Sequence, residues 1–269
     1  MIEYIDKGHK YVKGDQKYTS VSEFIGLFKN KFDQKYWSTY KAYEHLLGKQ
    51  KFKELRAKAG YKLEDPKLFV DLKNLVSPED LKRAKQEIKD DWKKINKIST
   101  TRGNLYHNDK EEQAYSTGIC VNPFDYKEYP TKSTREKKVK RALVPDLFQL
   151  EDGFYPELLL WNDPYLLGGQ SDKVFIETID SVRYVDVDDY KTNNAIKKGG
   201  MKRMKYPIQN LYDCNYEHYC LQIAAYAWML EGFGYVVRNT AFTHLNEMHP
   251  VDYQVYKNYL IAMLNEFRK

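Results

Sequence analysis

The sequence predicts an α/β fold with a helical elaboration in its first third. Three observations carry this. Residues 155–161, 167–178 and 183–191 are dense in Val, Ile, Phe, Tyr and Leu and read as successive strands. Residues 215–231 place apolar side chains at helical spacing and end at Gly232, and 252–268 read as a last helix after a strand at 235–245. Residues 33–115 read as mostly helical. No internal repeat and no Pro/Ser-rich linker divides the chain. A single domain over 1–269 is expected, with a helical subdomain at about 29–100 and a core at about 101–245.

In chain order, residues 2–21 read as short strands with turns at Asp6-Lys7-Gly8 and Lys13-Gly14-Asp15. Ser20-Val21-Ser22-Glu23 is a capping-box pattern that opens a helix through about Phe28. The helical stretch is punctuated near Gly48, Gly60, Pro66 and Pro78. Its longest piece starts at Ser77-Pro78-Glu79-Asp80, with proline at the first helical position and acids in the first turn. A break is expected near Gly103. Residues 116–135 read as loop and 136–149 as a short helix, and after the strands a basic, glycine-containing loop runs through 210.

Composition excludes several classes. Aromatics at 15% and 24 tyrosines are too many for a disordered chain. No run of about 18 apolar residues is present, so no membrane span is expected. The start, Met1-Ile2-Glu3-Tyr4-Ile5-Asp6, has no apolar signal core, and a cytoplasmic protein is expected. Cys120, Cys214 and Cys220 are too few and too scattered for a disulfide framework or a zinc finger. The tyrosines suit base stacking, but core and surface filling is the larger share of their expected use.

The charge of +6 is local. Lys132, Arg135, Lys137, Lys138, Lys140 and Arg141 against Glu136 give 132–141 a net +5. Lys197, Lys198, Lys202, Arg203 and Lys205 give 197–205 another +5, which leaves the rest of the chain at −4. One such run alone is an ordinary solvated loop. Two runs flanking a candidate catalytic segment point to phosphates.

That segment is a hairpin. With Asp180-Ser181 as its turn, Val174 opposes Val187, Ile176 opposes Val185 and Asp172 opposes Asp189. Strand alternation puts these six on one face, with Lys191 beside Asp189. Two carboxylates facing each other on an apolar face are unfavourable unless a cation lies between them, and a divalent ion with oxygen ligands answers this. The opposite face pairs Lys173 with Asp188, so Asp188 and Asp186 read as structural or surface residues. Gln222 and Tyr226 share one helical face at i and i+4, and Arg102-Gly103-Asn104-Leu105-Tyr106-His107 supplies an upstream histidine, with Glu111 one turn on.

The ordered set His107, Gly168-x3-Asp172, Asp189-Tyr190-Lys191 and Gln222-x3-Tyr226 resembles the PD-(D/E)XK nuclease superfamily. It looks most like the RecB-like branch, with the CRISPR adaptation nucleases and phage exonucleases. Thr19-Ser20-Val21-Ser22-Glu23 is similar to a helix start common near the beginning of such proteins. The resemblance is clearest over 101–230 and thin over 29–100. It implies a central mixed β-sheet flanked by helices, a restriction-endonuclease-like core. It also implies a DNA nuclease, an exonuclease that processes ends in recombination, repair or replication in a bacterial cell or a phage-infected host.

By the same resemblance, His107, Asp172, Asp189 and the backbone carbonyl of Tyr190 would hold one or two Mg²⁺ or Mn²⁺ ions. Glu157, on the preceding strand, is a further candidate ranked after them. Lys191 would position or help deprotonate the attacking water. Gln222 would orient Lys191 or touch the DNA, and Tyr226 would contact DNA or support its neighbours. Lys137, Lys138, Lys140, Arg141, Lys197, Lys198, Lys202 and Arg203 would grip phosphates. A helicase, recombinase or single-strand-binding protein is the kind of partner implied. Many relatives carry an iron–sulfur cluster on four cysteines. Three unclustered cysteines cannot supply that set, and no cluster is expected. The rival expectation is a module of the same fold that binds nucleic acid or serves as a partner subunit without catalysis.

Overall fold

The computed structural model describes residues 3–5, 10–60, 64–136, 141–142 and 146–268. It divides into two compact units, one of residues 1–30 with 103–269, the other of residues 31–102.

The larger unit begins with β1 (Glu3–Ile5), β2 (Lys10–Lys13) and β3 (Gln16–Ser20). Helix α1 (Val21–Leu27) follows, and the Ser20 side chain accepts from Glu23 N at 3.1 Å, the cap the sequence announces. The smaller unit holds α2 (Gln34–Leu47), α3 (Lys49–Lys58), α4 (Lys67–Leu72) and the first part of α5 (Pro78–Thr117). Its core is aromatic: Tyr36, Tyr40, Tyr43 and Phe52 pack with Leu68 and Leu72. Much of the tyrosine excess is therefore packing, as Tyr18 and Tyr235 in the larger unit also show.

Helix α5 runs unbroken through Gly103, contrary to the break expected there. A glycine inside a helix costs only about 1 kcal/mol relative to alanine, too little to stop a long helix. Beyond it, the segment read as loop forms a hairpin of β4 (Ile119–Val121) and β5 (Glu128–Pro130). The short helix read at 136–149 is also absent among the described residues. There the chain forms β6 (Arg135–Glu136), β7 (Arg141–Ala142) and a 3₁₀ turn at Leu147–Gln149. Asp6-Lys7-Gly8 and Lys137, Lys138 and Lys140 lie outside the described residues.

Then come β8 (Gly153–Asn162), β9 (Leu167–Ile179), β10 (Val182–Asp188), β11 (Tyr190–Lys191), α6 (Asn215–Gly232), β12 (Val236–His244), β13 (Glu247–Pro250) and α7 (Tyr253–Phe267). The fold is α/β, with a mixed central sheet flanked by helices. Strand order is β1-β2-β3-β9-β10-β12-β11, with β8 on β9 and β13 on β12. The β3–β9 and β10–β12 pairs are parallel and the hairpins antiparallel. Asp180 and Ser181 have φ of 49° and 65°, the left-handed pair of a type I′ turn, which fixes the β9–β10 register as expected from sequence.

Val174, Ile176, Val185 and Val187 are fully buried in the main core, against α6. Helix α6 is apolar almost all round, which suits a helix buried between the sheet and α7. On another wall, Ala114 of α5 packs with Tyr129, Phe154 and Phe175. Among the described residues, no helix is long and apolar enough to cross a membrane.

A half-buried polar knot ties α1's exit to the start of α6. Asp213 accepts from Asn30 N at 2.7 Å and lies 2.8 Å from His218 Nε2. Burial pulls His218 down from 6.5 to about 4, Lys29 adds to this, and Asp213 only partly offsets it. A histidine depressed on folding binds more protons when unfolded. Its contribution is complete above about pH 6.5 and is lost as pH falls toward 4. The thermal midpoint should therefore drop across that window, and His218→Gln should flatten the drop in a melting series taken over pH.

Candidate active site

The site forms where the central sheet splits. On one edge of β9, β3 pairs with residues 167 and 168 and β10 begins at 173. Asp172 lies in the gap between them. One step past the last β9–β10 pair, Lys173–Asp188, Asp189 falls opposite Asp172. The link between them is polar: Tyr190 N donates to Asp172 Oδ2 at 2.7 Å.

On the other edge of β9, Pro156 pairs Lys173 and Leu158 pairs Ser171, so Glu157 falls opposite Asp172. Glu157 has φ 51°, a left-handed conformation costly for a side chain of this kind. The peptides around it are held. Thr134 Oγ1 donates to the Pro156 carbonyl, and Gln170 Nε2 donates to the Glu157 carbonyl at 3.3 Å. β8, β9 and the residue just past β10 thus place Glu157, Asp172 and Asp189 in a row.

Helix α5 adds His107. Its Nδ1 is 3.1 Å from Asp172 Oδ1 and 3.7 Å from Glu157 Oε1. His107, Glu157 and Asp172 offer one ligand atom each, all within 4.8 Å of one another. A nitrogen and two carboxylate oxygens at that spacing fit a divalent cation such as Mg²⁺ or Mn²⁺. Asp189 turns instead to Lys191, whose ammonium donates to Asp189 Oδ2 and, at 3.0 Å, to Gln222 Oε1. Gln222 Nε2 donates to Tyr226 OH at 2.9 Å, so the i and i+4 pair of α6 continues the chain. The Tyr219 ring lies 4.7 Å from the Lys191 ammonium.

The charges respond to this crowding. Burial pushes the Asp172 carboxyl up and Glu157 adds to it, while His107 works against both. Burial pushes Asp189 up to about 6 and Asp172 adds, against the pull of Lys191. Burial alone would lower His107, but its hydrogen bonds to Asp172 and Glu157 outweigh that and raise it to about 10. Burial also opposes charge on Lys191, and Asp189 and Asp172 overcome it. Metal-free, the site is a crowd of buried carboxylates that collects positive charge.

The other aspartates of the hairpin differ. Asp186 is fully buried but accepts from Asn122, Arg238 and Asn239. Asp188 pairs with buried Lys173 and accepts from Thr243 Oγ1 at 2.8 Å. Both are structural, and neither is at the surface.

Gly169 shows why a glycine precedes Asp172. A Cβ there would lie 2.6 Å from a Tyr226 ring carbon. Gly169→Ala should destabilise the fold by about 1–3 kcal/mol, the usual cost of overpacking, and weaken the Gln222–Tyr226 link. Denaturant unfolding of the variant checks this.

Of the residues expected from sequence, the structure brings together His107, Glu157, Asp172, Asp189, Lys191, Gln222 and Tyr226. Glu157, ranked last, is nearer His107 and Asp172 than its rank implied. Only a four-residue connection at 163–166 sets it opposite Asp172, and the sequence does not mark that length. Tyr219 carried no sequence signal. The basic loop joins β11 to α6. Lys197, Lys198 and Arg203 are exposed on it and Lys202 is half-buried, while Met204 and Ile208 anchor it in the core. Of the other basic run, Lys132 pairs with Glu151 at 2.6 Å, and Arg141 is described only as part of β7.

No protein-family model and no curated protein matches the chain. The functional reading therefore rests on the site.

Proposed function

We propose that the protein is a Mg²⁺- or Mn²⁺-dependent DNA nuclease of the PD-(D/E)XK type, close to the RecB-like branch, that processes DNA ends in recombination, repair or replication. The observation that carries this is one continuous constellation. His107, Glu157 and Asp172 converge, and beside them runs the hydrogen-bonded line Asp189–Lys191–Gln222–Tyr226.

His107, Glu157 and Asp172 would hold the ion, with Asp189 and the Tyr190 carbonyl as further donors. A divalent ion there would lower the pKa of the attacking water and offset charge on the scissile phosphate. Lys191 spends two of its three N–H groups on Asp189 and Gln222, and the third remains to orient that water or a phosphate oxygen. Gln222 fixes the lysine, and Tyr226 fixes Gln222. The exposed Lys197, Lys198 and Arg203 connect the two elements of this line and suit the DNA backbone.

Purified protein with Mn²⁺ or Mg²⁺ is expected to degrade end-labelled linear DNA and spare covalently closed circles. Hydrolysis should cease with a chelator. No metal-dependent cleavage of any single- or double-stranded DNA would overturn the reading, and DNA binding without cleavage would turn it to a non-catalytic module.

A further inference from the structure

A cavity of about 370 Å³ opens from His107, Glu157 and Asp172. Its walls differ in kind from the site. Phe154 and Pro156 of β8, Ala114 of α5, and Ile119 and Val121 of β4 make them largely apolar. Besides His107, Glu157 and Asp172, its polar lining is Tyr190 with Lys110, Glu111, Gln113 and Thr117 of α5. Lys110 is the one lysine or arginine lining it among the described residues. The size is at the low end for a small-molecule site.

We propose that this cavity is a nucleobase pocket, which takes the unpaired nucleotide adjoining the scissile phosphate. The inference rests on the nuclease reading for the phosphate, and on the cavity for the base. A phosphate held beside His107, Glu157 and Asp172 carries its own sugar and base within a few ångströms, and the cavity begins there. Apolar walls with an aromatic ring suit the faces of a base, and the polar groups of α5 suit its edge. A single lysine does not suit a second phosphate group. A base inside the cavity cannot also be stacked and paired in a duplex. The substrate is therefore a single strand, a flap or a frayed end, and an internal duplex site is cleaved only after unpairing.

The test compares binding of deoxyadenosine monophosphate and 2-deoxyribose 5-phosphate to the whole protein by calorimetry, with Mg²⁺ present. The two share the phosphate and the sugar and differ by the base. The base should add about tenfold or more in affinity, as stacking on an aromatic wall does. Val121→Trp and Gln113→Trp fill the cavity from exposed positions on β4 and α5. Each should erase that difference while leaving the unfolding midpoint and the heat of Mn²⁺ binding unchanged. Equal affinity for the two probes in the wild type overturns the inference, as does a base effect that survives both tryptophans. DNA cleavage with equal probe affinities leaves the nuclease reading standing without the pocket. A base effect without any cleavage leaves the pocket and removes the nuclease.

Discussion

Lys191→Met should lower DNA cleavage by roughly 100- to 1,000-fold, the usual loss when one preorganised charged donor leaves a reacting phosphate. The side chain is mostly buried, and it joins Asp189 to Gln222. Methionine keeps most of its volume and removes the charge. Two effects then separate. Asp189 loses its cation while still opposite Asp172, and breaking a buried ion pair costs about 3–5 kcal/mol when the survivor stays charged. Asp189 is already pushed up to about 6 by burial and by Asp172, so it can take a proton and cut that cost. The double variant Asp189→Asn/Lys191→Met removes both charges. It should recover most of the lost stability and none of the activity. Cleavage assays and denaturant unfolding on the wild type and the two variants check this. If the pair were merely structural, activity would return with stability.

Much of this line can be read from the sequence, because it depends on local rules. A two-residue turn at Asp180-Ser181 sets the hairpin register, and period-two alternation sets the face. Asp172 therefore meets Asp189 in the structure as it does on paper. Gln222 and Tyr226 need only helical spacing, and α6 supplies it. What was not legible depends on context. Glu157 reaches the site through a left-handed backbone that no propensity predicts and that Thr134 and Gln170 hold in place. The β4–β5 hairpin is three residues a side, with alternation too brief to separate from loop. Gly103 signals a break but sits inside α5, because its local cost is small beside the helix's length. His107 depends on that continuity, since it lies in the part of α5 that follows Gly103.

Within the hairpin, Asp172 and Asp189 differ from the two structural carboxylates. Asp172, Asp186, Asp188 and Asp189 are all buried. Asp186 and Asp188 face cationic or amide partners that match their charge. Asp172 and Asp189 face each other, and Glu157 opposes Asp172 from the far side. Buried like charges cost stability unless cations offset them, which His107 and Lys191 do in part. Under the nuclease reading proposed above, a divalent ion would offset the rest.

Asp172→Asn turns that difference into a measurement. Asparagine keeps the shape, can still accept from Tyr190 N, and can donate to a neutral His107. One of three crowded carboxylates is gone, so the metal-free variant should melt no lower than the wild type. Cleavage should be abolished. The response to the ion should vanish too. An ion at about 100 times its Kd stabilises a folded protein by about 2.7 kcal/mol, which is roughly 5–10 °C for a unit of this size. The wild type should show that rise on adding Mn²⁺, and Asp172→Asn should not. Asp186→Asn should behave in the opposite way. It weakens the partner of Arg238 in the core, so its metal-free midpoint should fall while the Mn²⁺ increment persists. Melting curves of the three proteins with and without Mn²⁺ decide the matter. A large loss of metal-free stability in Asp172→Asn would make Asp172 another structural acid like Asp186, and the ion site would lose its centre.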